Sequence, residues 1–332
     1  MTMDKELIIS SSPHIHTQRS VERTMLDVLI ALLPAVACSL FFFGAGALVV
    51  LLSAVAGCVA TEYLIQRFLI KGKSTIGNYS AIVTGVLLAL NLPSNLPVYI
   101  VILGSIFSIG IVKMAFGGLG NNIFNPAIAG RVFLLLSFPA QMTTWPLPIV
   151  NRWKYFDMET GATILSTMKE SVSDVNTGAS VASSMKDMVE VSTWDAFLGN
   201  MGGSMGEVSA IALLIGAAYL LIRKVITWHI PVAILASVAL FYLALGDDPL
   251  MPMLTGALLL GAFFMATDYA TSPMSHKGMI IYGVMIGVIT VIIRKWGAYP
   301  EGVSFAILLM NGLTPLINRY FKPTRFGERS KR

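Results

Sequence analysis

The sequence predicts an all-α integral membrane protein of about ten transmembrane helices, set out as two inverted five-helix repeats. Three observations carry that expectation. Only 12% of the 332 residues are charged and 55% are hydrophobic, whereas a soluble domain carries about 25% charged residues. Apolar segments fill the chain on both sides of one long polar stretch, roughly residues 137–206. Short motifs recur between the two apolar halves at a nearly constant offset.

A bilayer core about 30 Å thick needs about 20 apolar residues in helical form. The first span is expected at residues 24–43 and the second at 47–66, linked by Gly44-Ala45-Gly46. A basic loop, Lys71-Gly72-Lys73, follows. The third run, Ser80–Leu90, is too short to cross comfortably and stops at Asn91-Leu92-Pro93-Ser94-Asn95-Leu96-Pro97. The fourth, 98–116, is full length, and a Gly- and Asn-rich loop leads into the fifth, 127–138. Beyond the polar stretch, apolar runs fall at 209–222, 230–245, 251–267, 279–293 and 302–317. The chain thus divides into a cytoplasmic N-terminal tail (1–23), a first membrane repeat (24–138), an extracytoplasmic loop (139–206), a second repeat (207–318) and a basic C-terminal tail (319–332).

Thr84-Gly85-Val86-Leu87-Leu88 matches Thr255-Gly256-Ala257-Leu258-Leu259, and Asn125-Pro126 parallels Tyr299-Pro300, at offsets of 171 and 174 residues. An odd number of spans per repeat inverts the second against the first. Interrupted segments at matching places, 80–97 and 251–273, point to a central site lined by broken helices. Chance recurrence of Thr-Gly in a Leu- and Gly-rich chain is the alternative. With the N-terminus in the cytoplasm, 16 of the 23 Lys and Arg fall inside, 6 outside and Arg131 within a span. That bias puts both termini in the cytoplasm and the polar stretch outside. It also accounts for the net charge of +5 without nucleic acid. Residues 1–22 have no apolar core, so no cleaved signal peptide is expected and the first span directs insertion.

Charges in or at the ends of spans are the next signal, because each is costly at a helix centre. Asp27, Glu62, Arg131, Asp268 and Glu301 qualify; Asp27, Glu62 and Glu301 read as interfacial. Arg131, one turn inside the fifth segment, could hold an anion or a ring carbonyl, or pair with a carboxylate of a neighbouring helix. Gly117-Gly118-Leu119-Gly120 lacks the Lys-Ser/Thr of a phosphate loop and reads as a close turn. Cys38 and Cys58 cannot alone hold an iron–sulfur cluster or a structural zinc; they are core residues or half of an intersubunit cluster. His14, His16, His229 and His276 show no metal-ligand spacing, and no catalytic site residues or metal site are expected within the chain itself.

The polar stretch contains Asp157-Met158-Glu159-Thr160-Gly161-Ala162-Thr163. Gly161 and Ala162 leave the Thr163 hydroxyl open to a large reactant, with Asp157 and Thr160 supplying polar groups nearby. The bland reading is a helix N-cap at Thr163. A seven-residue polar motif in the one extramembrane loop favours a modification site.

Several motifs together carry a resemblance. They are Ser12-Pro13-His14-Ile15-His16 with Arg23-Thr24-Met25-Leu26-Asp27-Val28, Gly118-Leu119-Gly120 with Phe124-Asn125-Pro126-Ala127, and Gly202-Gly203-Ser204-Met205-Gly206-Glu207. Ile226-Thr227-Trp228-His229-Ile230-Pro231, Met265-Ala266-Thr267-Asp268 with Thr271-Ser272-Pro273, and Tyr299-Pro300-Glu301-Gly302-Val303 complete the set. In order and over essentially the whole chain, the sequence resembles the family of D subunits of Rnf ion-translocating oxidoreductase complexes and B subunits of sodium-pumping NADH:quinone reductases. The short N-terminal tail favours the Rnf side.

The resemblance implies a urea-transporter-like fold and FMN joined by a phosphodiester to Thr163, with Asp157, Thr160, Gly161 and Ala162 as the recognition motif of a flavin transferase. It implies a membrane electron-transfer subunit, not catalytic alone, coupling ferredoxin:NAD oxidoreduction to sodium or proton translocation. Its partners would be other membrane and peripheral subunits, including a second flavinylated subunit and iron–sulfur subunits. Some relatives also bind noncovalent riboflavin, for which the loop 121–131 with Arg131 is one place. The alternatives are the quinone-reductase B subunit and a flavin-free channel or transporter, which needs no modification of Thr163.

Overall fold

The computed structural model describes residues 20–71, 75–146, 148, 160–161, 197–199, 202–207, 209–299 and 301–322. Helix α1, Val21–Phe43, starts at Ser20, whose Oγ accepts the Arg23 backbone N–H at 3.3 Å, satisfying one of the amides a helix start leaves open. α2, Ala45–Leu64, runs on through a π turn, Ile65–Ile70. α3 is Ser80–Leu90, and α4, Val98–Ile106, continues as a second π stretch, Phe107–Met114. α5, Pro126–Ser137, and the single turn α6, Pro139–Met142, close the first half. The second half holds α7 (Ala210–Ile222), α8 (His229–Leu245), α9 (Leu250–Leu254), α10 (Leu258–Leu260) with a π turn Gly261–Met265, α11 (His276–Trp296) and α12 (Val303–Tyr320).

The described residues are overwhelmingly helical, and apolar side chains face outward as well as inward. Leu33, Phe41, Leu52, Ile222 and Leu240 are all exposed. A soluble surface rarely shows apolar patches so continuous; against lipid they are at home. Among the described residues three helical stretches, Val21–Phe43, Ala45–Ile70 and His276–Trp296, are long and apolar enough to cross a bilayer unaided. Ser80–Leu90, Val98–Met114, Pro126–Ser137, Ala210–Ile222 and His229–Leu245 are shorter apolar helices, and the fourth run, expected at full length, is among them.

The run at 251–267, part of the stretch expected to be interrupted, is in pieces. Gly256 has φ +75, a left-handed conformation open to glycine at no steric penalty, and there the chain leaves α9 and restarts as α10. A break exposes carbonyls. Arg294 of α11 answers them, donating to the carbonyls of Pro252 at 2.5 Å and Thr255 at 3.2 Å. The charge count puts Arg294 in an outer loop; it is buried instead, because a break needs its donors.

α1 lies against α7, α2 against α3 and α4, α8 against α11, and α5 and α11 both against α12. The α1–α7 contact depends on a missing side chain. A Cβ at Gly216 would stand 2.1 Å from the Ala31 carbonyl oxygen, a backbone atom that cannot swing aside. Gly216→Ala should therefore force α1 from α7 and destabilise by about 1–3 kcal/mol, as overpacking does. A lowered unfolding midpoint in detergent is the expected reading; an unchanged midpoint would contradict this packing.

The broken segments meet at the middle. Asn91, at the end of α3, donates to the Leu87 carbonyl at 2.7 Å and lies 3.6 Å from the Met265 sulfur. Asn125 caps α5, accepting from the amides of Ala127 at 3.0 Å and Ile128 at 3.4 Å, ahead of Pro126 at the first helical position. Its amide also donates to the Met265 carbonyl at 3.1 Å. The stretch returning from the polar loop enters the same place: Gly206 donates its N–H to the Leu90 carbonyl at 2.7 Å and Met205 to that of Leu92 at 3.3 Å.

Candidate functional site

The modification motif touches the described structure at two residues. Thr160–Gly161 pairs antiparallel with Trp145–Pro146, Trp145 opposite Gly161 and Pro146 opposite Thr160. This ribbon follows α6, whose Met142 is fully buried, so the backbone of the motif is anchored just past the end of α5. Asp157, Ala162 and Thr163 lie outside the described residues.

Arg131 sits on α5 with its side chain 4% exposed. It donates to Ser304 Oγ at 2.9 Å and Asn91 Oδ1 at 3.2 Å, and forms an ion pair with Glu301. Glu207, also buried, has Oε1 4.0 Å from the guanidinium. Of the two uses the sequence left open for Arg131, the structure displays the carboxylate pair. A planar fork suits this task, since it can meet acceptors from α3, α12 and the returning stretch 202–207 at once.

Glu62 is a correction. It is not interfacial but fully buried. Lys113, counted on the cytoplasmic side near the end of the fourth run, is buried with it, 2.6 Å from Glu62 Oε2 and 2.7 Å from Ser80 Oγ. Single-residue hydropathy could not see that partner 51 positions away. Asp27 is nearer its expected place: it accepts from Tyr219 Oη at 3.0 Å and pairs with Arg223 at 3.3 Å. Cys38 and Cys58 are both free thiols. His229 and His276 stack at 4.4 Å, a contact the sequence did not signal. No cluster of three or more His, Cys, Asp or Glu suited to a metal occurs among the described residues.

A pocket opens between α1, α3, the start of α5 and residues 263–269. Its walls are largely apolar, including Val83, Leu87, Phe263 and Phe264; the polar groups include Ser80, Lys113, Asn122, Asn125, Thr267 and Asp268. That mixture of apolar walls with a few polar groups is typical of a pocket for a small organic ligand. The loop singled out from the sequence supplies Asn122 and Asn125 to the wall, while Arg131 stands outside it.

Broken helices, lipid-compatible outer faces and an internal charged centre define an all-α integral membrane protein. The chain belongs to the NQR2, RnfD, RnfE family, whose model matches residues 8–327. It is 48% identical over 324 residues to the D subunit of the Na(+)-translocating ferredoxin:NAD(+) oxidoreductase complex of Acetobacterium woodii, covering 97% of this chain and 95% of that protein. It is 41% identical to the proton-translocating counterpart of Clostridium ljungdahlii, over 97% and 96%. Identity to the D subunit of the ion-translocating oxidoreductase complex of Stutzerimonas stutzeri is 40%, over 94% of each chain.

Proposed function

We propose that the chain is the D subunit of an ion-translocating ferredoxin:NAD oxidoreductase complex, passing electrons through FMN held covalently on Thr163. The observation that carries the reading is near full-length similarity to subunits of that name, joined to a complete Asp157-x-x-Thr160-Gly161-Ala162-Thr163 motif. The threonine hydroxyl is the right donor for a phosphodiester, and Gly161 and Ala162 leave it uncrowded. The bound flavin would supply one- and two-electron chemistry; the chain supplies position, since a tether removes the entropy of holding a carrier near its donor and acceptor. Asp157 and Thr160 present the motif to the flavin transferase.

Ten transmembrane segments in two inverted repeats, in a cell membrane with both termini cytoplasmic and the Thr163 loop outside, complete the proposal. In an inverted repeat, residues near the pseudo-twofold axis would touch their own counterparts; the contacts of Asn91 with Met265 at a separation of 174, and of Arg131 with Ser304 and Glu301 at 173 and 170, support the reading by lying close to the motif offsets of 171 and 174. We place noncovalent riboflavin in the pocket walled by Asn122 and Asn125, whose apolar walls suit a ring and whose polar groups suit a ribityl chain.

The test is assembly and activity together. A tagged chain should co-purify with iron–sulfur subunits and a second flavinylated subunit. Membranes lacking it should lose ferredoxin-dependent NAD reduction and regain it on complementation. A chain that purifies alone, from membranes whose NAD reduction survives its deletion, would leave the flavin-free transporter as the better account.

A further inference from the structure

We propose that Thr75, Glu62 and Lys113 form a proton path from solvent into the cavity walled by Lys113 and Ser80, delivering a proton to a redox ring bound there. The proposal rests on the reading that such a ring occupies the cavity.

The chain of contacts is continuous. Thr75, exposed in the turn before α3, donates from Oγ1 to Glu62 Oε1 at 2.7 Å. The other carboxylate oxygen of Glu62 is 2.6 Å from Lys113 Nζ, which reaches Ser80 Oγ at 2.7 Å. Glu62 and Lys113 are 0% and 2% exposed, yet Lys113 and Ser80 both border the cavity. One end of the path is therefore wet and the other opens on the cavity. Gln66 fixes the entrance, accepting the Thr75 backbone N–H at 2.8 Å and donating to its hydroxyl. Both helices that carry the pair leave α geometry beside it, in the π stretches Ile65–Ile70 and Phe107–Met114. Such turns gather at functional sites.

A purely structural role explains less. A buried ion pair contributes little net stability against an apolar pair of the same volume, and it needs no hydroxyl leading to solvent. An ammonium has three N–H donors. Glu62 and Ser80 take two, and the third is available on the cavity side. The other ionisable groups in the wall are Asp268, which accepts from Thr271 at 3.3 Å, and Tyr269, whose hydroxyl donates to the Val225 carbonyl; neither has a hydrogen bond to Thr75, Glu62 or Lys113.

The chemistry balances. A ring that gains an electron in a low-dielectric cavity holds the charge poorly unless a proton follows. The electron comes from reduced ferredoxin through the complex, or from dithionite in the test. Lys113 gives one proton to the reduced ring and becomes an amine. The Glu62 carboxylate takes a proton at Oε1 from the Thr75 hydroxyl as Thr75 takes one from water, leaving hydroxide; the Glu62 carboxyl, now neutral, turns and gives that proton to the Lys113 amine. One proton per electron has moved from water to the ring, and all three side chains are restored.

The experiment uses the purified complex with its noncovalent flavin quantified. Dithionite reduction is followed by stopped flow with a pH-indicator dye, in H2O and D2O. The variants are Thr75→Val, Thr75→Ser, and the double Glu62→Gln/Lys113→Met, which strands neither charge. Thr75→Val should keep its flavin and slow proton uptake about tenfold or more, the low end of what a positioned proton-transfer group contributes. The double variant should slow it at least as much. Thr75→Ser should restore the rate and its D2O effect. Flavin present with wild-type proton uptake in Thr75→Val would overturn the path alone. A wild-type complex without noncovalent flavin would overturn the ring reading and, with its acceptor gone, the path as well.

Discussion

A chain carrying Thr163→Ala, co-expressed with a flavin transferase, should run dark in a denaturing gel where the wild-type band fluoresces. The loss should be complete, because alanine has no oxygen to bond the FMN phosphate and the motif offers no second threonine in the same setting. Thr160, the other hydroxyl, lies in the paired ribbon opposite Pro146. Electron transfer through the assembled complex should fall to background, since a free flavin cannot replace the effective concentration a tether gives. Thr163→Ser should keep some fluorescence, as serine retains the reacting hydroxyl. Fluorescence in Thr163→Ala equal to wild type would place the flavin on another residue.

Arg131→Ala should be the most damaging substitution within the membrane region. Its guanidinium serves Asn91, Ser304 and Glu301 together, with Glu207 4.0 Å away. Removing it takes the cation from the partly exposed Glu301 and the nearest one from the buried Glu207, and breaking a buried pair from one side costs about 3–5 kcal/mol. That is a large share of the roughly 5–15 kcal/mol a folded domain has in hand. The expected result is little or no folded subunit in detergent extracts and no assembled complex. Arg131→Lys should recover part of the stability, because it keeps the charge but loses the planar fork. Glu301→Gln should be milder than Arg131→Ala. Wild-type thermal stability of Arg131→Ala would mean that the carboxylates are held some other way.

Much of this is legible in the sequence because lipid imposes a simple rule: backbone groups must be satisfied within helices. The runs that become α1, α2 and α11 can be located from apolar length alone. The breaks are legible where glycine or proline announces them, as at Thr255-Gly256 and after Leu90. What composition does not supply is partnership. Lys113 and Glu62 each look like boundary charges until α2 and the π stretch that continues α4 bring them within 2.6 Å. Arg294 looks like an outer loop charge until the end of α9 is found to need donors. Asn125-Pro126 stands out in the sequence as a repeat marker; its reach to the Met265 carbonyl depends on a residue 140 positions away. The Thr163 motif is readable because its information is chemical and local, a free hydroxyl beside small residues.

One measurement addresses the central claim most directly. The chain, purified from cells that make the flavin transferase, is digested and the peptide containing residues 157–163 is fragmented in a mass spectrometer. The account predicts an added mass equal to FMN less one water, localised to Thr163. An unmodified Thr163 in a preparation whose complex actively reduces NAD with ferredoxin would contradict it.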